Sequence, residues 1–337
     1  MKKVAVLGAG SWGTALSIVL ADNNHDVRLW SYRKEQAEMI QSTRKNEPYL
    51  NTLLSPNIIA YANMEKAVEN VSAIIIVVPS QAIRSVCQEL VHYLPKDCTV
   101  VHATKGIEPE TLKRISEMIT EELGEQVKDQ LVVLSGPSHA EEVALRHPTT
   151  VTVASYNKTN AKYVQNLFFN ESFRVYTSTD VIGVELGGAL KNIIALGAGL
   201  SDGLGFGDNA RAALITRGLA EITRLGVSLG ADPLSFLGLS GVGDLIVTST
   251  STHSRNWRAG HLLGKGQTLD DILNEMGMVV EGVRTTKAAY QLSKKQAIEM
   301  PITEGLYEIL FNEANPRKIV EQLMTRKKRE ELDGIKK

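Results

Sequence analysis

The sequence predicts an α/β protein with an N-terminal doubly wound sheet, residues 1–179, and a C-terminal all-α domain, residues 180–337. Two observations support this prediction. Up to Tyr176, short apolar segments alternate with amphipathic ones, which is typical of a parallel sheet covered by helices on both faces. Beyond Tyr176 the apolar residues recur at helical spacing only. A chain of 337 residues is long enough for two such domains.

The predicted strands are short apolar segments that end in glycine, proline or small polar residues. They are residues 4–7, 26–30, 73–78, 99–103, 131–134, 149–154 and 173–176. Helices are predicted by apolar spacing at residues 14–21, 33–42, 81–93, 109–123, 160–170, 180–200, 209–229, 256–263, 269–275, 282–294, 302–311 and 316–324. Lys105, Gly136 and Ser138 each follow a predicted strand, where ligands bind in such sheets.

A glycine motif joins the first predicted strand to the first predicted helix. Gly8, Gly10 and Gly13 have the spacing G-x-G-x-x-G. In this context the first glycine permits a tight turn, the second admits a pyrophosphate, and the third lets helix and strand pack closely. The free N–H groups at the helix start favour phosphate. The motif therefore predicts a Rossmann-type dinucleotide site rather than a merely structural turn.

The end of the second predicted strand bears on which dinucleotide binds. Sites that prefer NAD usually place an acidic residue there, but this chain has Ser31, Tyr32 and Arg33. A guanidinium can pair with the 2′-phosphate of NADPH. We therefore expect NADPH, with the alternative that Arg33 only begins a solvated helix.

Composition excludes several classes of function. Lys and Arg number 37 against 38 Asp and Glu, a balance that argues against a nucleic-acid or membrane-surface protein. Cys87 and Cys98 form no C-x-x-C pattern, and the seven histidines have no ligand spacing, so no metal is expected. No apolar run is expected to be long enough to span a bilayer. These features indicate a cytoplasmic protein with an ordinary core.

Lys191 stands out in the apolar helix predicted over residues 180–200. It lies between Leu190 and Ile193-Ile194 and is followed by Asn192. A buried lysine is costly unless it has a partner or a chemical task. The alternative is a lysine whose stem is buried while its ammonium group reaches solvent.

Two further segments carry candidate site residues. Asp244 lies among glycines in residues 241–245, where it could act chemically or serve as a helix N-cap. Ser254, Arg255 and Asn256 precede or begin a predicted helix. A helix start with an adjacent arginine suits a phosphate group, whereas capping by Ser254 alone explains the pattern equally well.

Together these motifs resemble the soluble, bacterial NAD(P)-dependent glycerol-3-phosphate dehydrogenases along essentially the whole chain. The resemblance rests on GAGSWGTAL at residues 8–16, VVPS at 77–80, TKGIE at 104–108, SGPSHAEEV at 135–143, ELGGALKNIIALGAG at 185–199, GDLIVTSTSTHSRN at 243–256 and VEGVRT at 280–285. No single segment is specific, but their combination is.

The resemblance implies roles for individual residues. Lys191 matches the proton acceptor. The matches to substrate-contacting positions are Lys105, Gly136, Ser138, Lys191, Asp244, Ser254, Arg255 and Asn256. The matches to cofactor positions are Gly8, Gly10, Ser11, Trp12, Gly13, Tyr32, Arg33, Lys105, Ala140, Arg255, Val279 and Glu281. We expect Lys105 and Lys191 to lower each other's pKa and Asp244 to orient them.

The implied reaction is the reduction of dihydroxyacetone phosphate by NADPH or NADH to sn-glycerol 3-phosphate, the backbone for phospholipid synthesis. The resemblance leaves the choice between NADPH and NADH open and allows a homodimer. It implies neither a nucleic-acid nor a membrane partner. One rival is a related two-domain NADP-dependent hydroxy-acid dehydrogenase, which would need a carboxylate-binding site. Another is a redox sensor that binds NADPH without chemistry, which would not need a buried base such as Lys191.

Overall fold

The structure is a computed structural model that describes residues 1–277, 279–328, 330 and 331. It divides into two compact units. The first comprises Met1–Thr104 and Ile115–Val181, and the second comprises Lys105–Arg114 and the chain from Ile182 onwards. The segment Lys105–Arg114 therefore packs with the second unit, although it lies within the first unit in chain order.

The first unit contains one eight-stranded sheet with the order β3-β2-β1-β4-β5-β6-β7-β8. The strands are β1 Lys3–Leu7, β2 Asp26–Trp30, β3 Ile58–Tyr61, β4 Ala73–Ile76, β5 Thr99–His102, β6 Leu131–Ser135, β7 Thr149–Ala154 and β8 Phe173–Ser178. All neighbours are parallel except β6 and β7. The predicted doubly wound sheet is confirmed. Strand β3 was not predicted, because it is a four-residue edge strand in which only alternate residues are buried.

Helices cover both faces of this sheet. They are α1 Ser11–Asp22, α2 Lys34–Thr43, α3 Met64–Val68, α4 Ile83–Leu90, α5 Ile115–Leu123, α6 Ala140–Ala144 and α7 Lys158–Phe168. In β1, Val4 and Val6 join one apolar cluster while Ala5 and Leu7 join another, which explains the unbroken apolar run. The helix predicted over residues 109–123 is wrong in its first part, because α5 begins only at Ile115. The five-residue helices α3 and α6 are too short to show a helical period and were missed.

The second unit is helical. Its helices are α8 Val181–Gly203, α9 Asp208–Ser228, α10 Asp244–Thr250, α11 Arg255–Gly264, α12 Leu269–Met276, α13 Glu281–Lys295, α14 Pro301–Phe311 and α15 Pro316–Met324. Among the residues that the structure describes, no strand follows Ser178, in agreement with the predicted all-α domain. Helix α10 was not predicted, because this short helix directly follows glycines and its sequence is typical of a loop.

Helix α8 is the centre of the second unit's core. It has 23 residues and is long and apolar enough to cross a membrane by length and composition, so the expectation that no run reaches that length is wrong. Its most apolar 18-residue window is 94% buried inside the protein, as in the core helix of a folded domain. Gly199 and Gly260 let α8 and α11 cross closely, since a Cβ on Gly199 would lie 1.9 Å from the carbonyl oxygen of Trp257.

Candidate active site

The glycine turn of the first unit has the geometry of a phosphate cradle. Gly8 has a φ of +122°, and a Cβ on Gly13 would lie 1.9 Å from the Gly8 carbonyl oxygen. Helix α1 therefore starts directly against the end of β1. Gly10 precedes α1, and no heavy atom of the described residues lies within 4 Å of a Cβ built on it. The N-cap residue Gly10 has no side chain that could cap α1, so the first turn, with Ser11 and Trp12, can bind an anion such as a pyrophosphate.

Arg33 lies beside this turn as the N-cap residue of α2. Its Nη2 donates to the Tyr49 hydroxyl over 2.8 Å and to Gln36 Oε1 over 3.2 Å. Gln36 in turn donates from Nε2 to the Ala9 carbonyl oxygen over 2.7 Å, within the glycine motif. The exposed side chain of Tyr32 lies next to the guanidinium, whose carbon is 6.0 Å from the ring centroid. A polar network thus holds a cation near the turn. Gln36 was not predicted as a contact of this turn, since no local pattern marks a polar residue of a helix for this role.

The loop after β6 and the start of α6 hold three more of the expected site residues. Gly136 has a φ of +147°, and a Cβ on it would lie 2.9 Å from the Val151 Cα. The Ser138 hydroxyl donates to the Gly136 carbonyl oxygen over 3.0 Å, and Ala140 is the first residue of α6. These residues lie after a strand's carboxyl end, as expected, within the first unit.

The second unit contains a buried cluster of two lysines around one carboxylate. Asp244, only 1% exposed in its side chain, accepts a hydrogen bond at Oδ2 from Lys105 Nζ over 2.5 Å. Its other oxygen, Oδ1, accepts from Lys191 Nζ. Lys191 also donates to the Thr248 hydroxyl over 2.6 Å. The structure therefore brings Lys105, Lys191 and Asp244 together, as the family resemblance led us to expect. Asp244 is the first residue of α10 and Gly243 is its N-cap, so the interpretation of Asp244 as an N-cap is wrong.

The environment of this cluster favours loss of one proton. Burial lowers the pKa of Lys191 to about 7, and the neighbouring ammonium group of Lys105 also lowers it, while Asp244 opposes the shift. Burial alone would raise the pKa of Asp244, but the two lysines hold it below its usual value. A lysine that titrates near neutrality can donate a proton and take it back, which is what a general acid and base requires.

The start of α11 is tied to the neighbourhood of Lys191. Ser254 is the N-cap of α11, and its hydroxyl accepts from the Trp257 N–H over 3.2 Å, so the predicted capping is present. Asn256 donates from Nδ2 to Asn192 Oδ1 over 2.9 Å and accepts at Oδ1 from the Gly282 N–H over 2.8 Å. The amide of Asn256 therefore connects α11 with α8 and with the first turn of α13.

Arg255 is the first residue of α11, with its Nη1 3.3 Å from the Val279 carbonyl oxygen. Glu281 begins α13 two residues later. Thr248 and Asn192 were not predicted as contacts of this site. Thr248 lies four residues after Asp244 and would have shared its helix face had α10 been predicted.

Catalysis by a metal ion or by a cysteine thiol has little support in the described part of the chain. No group of three or more His, Cys, Asp or Glu side chains there could hold a metal ion. Cys87 and Cys98 are buried and unbonded to each other, and burial raises the pKa of each thiol to about 12. Such thiols are poor nucleophiles. The lysine–aspartate cluster is therefore the best-supported chemical centre of the described residues.

The chain matches two protein-family models. The model of the NAD-dependent glycerol-3-phosphate dehydrogenase N-terminus matches residues 3–161, and that of the C-terminus matches residues 180–321. A glycerol-3-phosphate dehydrogenase (NAD(P)+) of Oceanobacillus iheyensis is 67% identical over 335 residues, 99% of this chain and 97% of that protein. One of Geobacillus thermodenitrificans is 60% identical over 337 residues, 99% of this chain and 98% of that protein.

Solved structures give the same result. The crystal structure of glycerol-3-phosphate dehydrogenase from Coxiella burnetii has a TM-score of 0.91 and 40% identity, covering 96% of this chain and 99% of that one. The glycerol-3-phosphate dehydrogenase of Saccharomyces cerevisiae has a TM-score of 0.82 and 28% identity, with 96% and 99% coverage. A ternary structure of D-mandelate dehydrogenase shares only the fold, with a TM-score of 0.57 and 14% identity over 96% of this chain and 100% of that one. The chain belongs to the NAD-dependent glycerol-3-phosphate dehydrogenase family.

Proposed function

We propose that this oxidoreductase reduces dihydroxyacetone phosphate to sn-glycerol 3-phosphate with NAD(P)H and thereby supplies the backbone of glycerophospholipids. One observation carries the proposal. Lys191 is buried against Asp244 and Thr248 and has a pKa of about 7, in a chain whose first unit contains a dinucleotide-type glycine turn. A binding protein without chemistry would not need a desolvated amine of this kind.

Each residue of the lysine–aspartate cluster has its own role in the proposed reaction. When NAD(P)H is bound, its nicotinamide supplies a hydride to the carbonyl carbon of the substrate. Lys191 Nζ then gives a proton to the oxygen that becomes a hydroxyl, and in the reverse direction the neutral amine accepts it. Asp244 fixes both ammonium groups through its two oxygens. Lys105 adds a positive charge that stabilises the developing alkoxide.

We assign the substrate phosphate to Arg255 at the start of α11. A guanidinium next to the free N–H groups of a helix N-terminus favours an anion through charge and hydrogen bonds together. Ser254, Asn256, Gly136 and Ser138 are the further proposed substrate contacts. The Ser254 hydroxyl accepts a capping bond and still has its own proton to donate.

The proposed cofactor site centres on the glycine turn. The proposed contacts are Gly8, Gly10, Ser11, Trp12, Gly13, Tyr32, Arg33, Lys105, Ala140, Arg255, Val279 and Glu281. We propose residues 1–179 as the dinucleotide-binding domain and residues 180–337 as the substrate-binding domain. The guanidinium of Arg33, held by Tyr49 and Gln36, supports a preference for NADPH.

A cytoplasmic location and a homodimer complete the proposal, with no membrane or nucleic-acid partner. The near-zero net charge of −1 supports the absence of a nucleic-acid partner, because nucleic-acid binding depends on positive charge that neutralises phosphates.

The test is a panel of ketones offered to the purified protein, with oxidation of NADPH or NADH followed by absorbance. The panel contains dihydroxyacetone phosphate, unphosphorylated dihydroxyacetone, ketopantoate and an aromatic 2-oxo acid. We expect efficient turnover of dihydroxyacetone phosphate alone. Preference for a 2-oxo acid would support the hydroxy-acid dehydrogenase instead, and tight NADPH binding without turnover of any ketone would support a sensor.

A further inference from the structure

We propose that the ion pair between Arg114 and Glu185 is a clamp that positions Lys105 against Asp244 by fixing the Lys105–Arg114 loop to helix α8. The clamp deepens the proposed function and, in its effect on turnover, rests on it. Arg114 and Glu185 are positioning residues, since they act through Lys105.

The Lys105–Arg114 loop is a closed hairpin. Ile107 and Arg114 form an antiparallel bridge. Glu108 donates from its N–H to the Lys113 carbonyl oxygen over 2.9 Å, and its own carbonyl accepts from the Leu112 N–H over 2.8 Å. Because these bonds join residues 107 and 108 to residues 112–114, residues 105–108 cannot shift independently of residues 112–114.

Besides the Lys105–Asp244 bond, an ion pair and apolar packing attach the hairpin to the rest of the second unit. Arg114 Nη1 lies 2.8 Å from Glu185 Oε2, and the two side chains are only 14% and 3% exposed. Ile107, which is 1% exposed, packs in the apolar cluster that includes Leu186 and Leu190 of α8. Apolar packing keeps the hairpin against α8, but it is not directional and does not fix the position of the hairpin. The buried guanidinium–carboxylate contact adds a fixed direction and distance.

The clamp and the reacting amine share one helix. Glu185 and Lys191 are six residues apart on α8, which is about 9 Å along a helix axis. Asp244 reaches Lys191 with one oxygen and Lys105 with the other. Helix α8 therefore holds Lys191 directly and Lys105 through the hairpin, so the spacing of the two lysines depends on the Arg114–Glu185 contact.

The main variant must avoid a buried uncompensated charge, because removing one partner of a buried pair is far more disruptive than replacing both by apolar groups. We therefore use the double variant Arg114→Met/Glu185→Met as the main test, with Arg114→Met alone and Arg114→Lys as its companions. Arg146→Met is the control, since it breaks another arginine–carboxylate contact of 2.8 Å, the more exposed one with Asp22 in the first unit. Thermal unfolding and circular dichroism establish that each variant is folded.

The direct readout is the rate at which Lys105 is acetylated by a small amine-reactive reagent, measured by peptide mass spectrometry on the whole protein. We expect the double variant and Arg114→Met to react several-fold faster at Lys105 than the parent. Arg114→Lys is expected to restore most of the protection, and Arg146→Met to leave it unchanged. An unchanged rate at Lys105 in the folded double variant would overturn the clamp.

Turnover provides the second readout. We expect kcat for dihydroxyacetone phosphate to fall about 10- to 100-fold in the double variant, since misplacement of a reacting group by about 1 Å can cost that much. The Kd for NADPH should not change. The pH limb of kcat should move upward, because Lys191 loses the ammonium neighbour that lowers its pKa. Parental kcat and pH limb in the folded double variant would contradict the clamp. Faster acetylation of Lys105 in a protein whose parent form does not reduce this ketone would uphold the clamp and refute the proposed function.

Discussion

Lys105 and Asp244 are 139 residues apart in the chain, yet Lys105 Nζ lies 2.5 Å from Asp244 Oδ2. The same carboxylate faces Lys191, so one negative charge is shared by two ammonium groups. With both lysines protonated the cluster has one excess positive charge around a buried carboxylate. Of the two lysine side chains, that of Lys191 is the less exposed to solvent. This arrangement makes the proton on Lys191 easy to lose at neutral pH, and the predictions about turnover follow from it.

Arg33→Asp should change cofactor choice. The guanidinium is held by Tyr49 and Gln36 close to the glycine turn, where it can pair with the 2′-phosphate of NADPH. A hydrogen bond to a charged group contributes about 1.5–3 kcal/mol, so kcat/KM with NADPH should fall roughly 10- to 100-fold or more. The value with NADH should change little. Steady-state kinetics with both cofactors checks this, and an equal loss with both would make Arg33 a structural residue.

Arg255→Ala should weaken the response to the substrate phosphate. A charge-assisted contact at the start of α11 is worth about 1.5–3 kcal/mol, or roughly 10- to 100-fold in kcat/KM for dihydroxyacetone phosphate. Dihydroxyacetone, which has no phosphate, should be a very poor substrate of the parent and almost unaffected by the change. The two ketones are compared on both proteins. If Arg255→Ala lowers both rates by the same factor, Arg255 does not bind the phosphate.

Glu221 should make the protein less stable as the pH rises through the acidic range. Its buried carboxyl group accepts hydrogen bonds from the Ile302 N–H over 2.6 Å and the Thr303 N–H over 3.2 Å at the start of α14. Burial raises its pKa from 4.5 to about 7 in spite of these bonds. Between these values the folded state binds more protons than the unfolded state, so stability falls as pH rises, by up to roughly 3 kcal/mol.

Urea unfolding across this pH range measures the effect of Glu221. In Glu221→Gln, which cannot ionise, the free energy of unfolding should depend less on pH between 4.5 and 7. The exposed Glu304→Gln, which loses only a surface contact with Lys294, serves as the control. If the parent and Glu221→Gln have the same pH dependence, the carboxyl group of Glu221 does not titrate as described.

Local pattern predicted the elements whose burial is continuous or periodic. Strand β1 and helix α8 were found because nearly every residue, or every helical turn, is apolar. Strand β3 and helix α10 were not predicted, because each is too short to show a repeating pattern of apolar residues. The segment Lys105–Arg114 was partly predicted as helix because the amphipathic spacing of α5 continues into it in sequence, whereas the bridge between Ile107 and Arg114 closes it as a hairpin.

Local sequence patterns singled out the site residues one at a time, and only the resemblance to a known family grouped Lys105, Lys191 and Asp244. Lys191 was singled out because burying its ammonium group in an apolar helix costs free energy unless a partner compensates for it. Asp244 was singled out by its glycine neighbours. Their contact joins α8 to α10 across 53 residues, and the Arg114–Glu185 contact spans 71. Such pairs depend on how the helices pack, which local spacing does not specify.

The pH dependence of single-turnover reduction of dihydroxyacetone phosphate by the parent and by Lys191→Met tests the central claim most directly. Single turnover keeps product release from hiding the proton transfer. In the parent, Lys191 must carry a proton to act as the acid, so the rate should fall as the pH rises above about 7. Lys191→Met should be about 10²- to 10⁴-fold slower, without this limb and with unchanged NADPH affinity. A Lys191→Met protein that keeps the parental limb, or a parent whose rate is constant through neutrality, would contradict Lys191 as the proton donor.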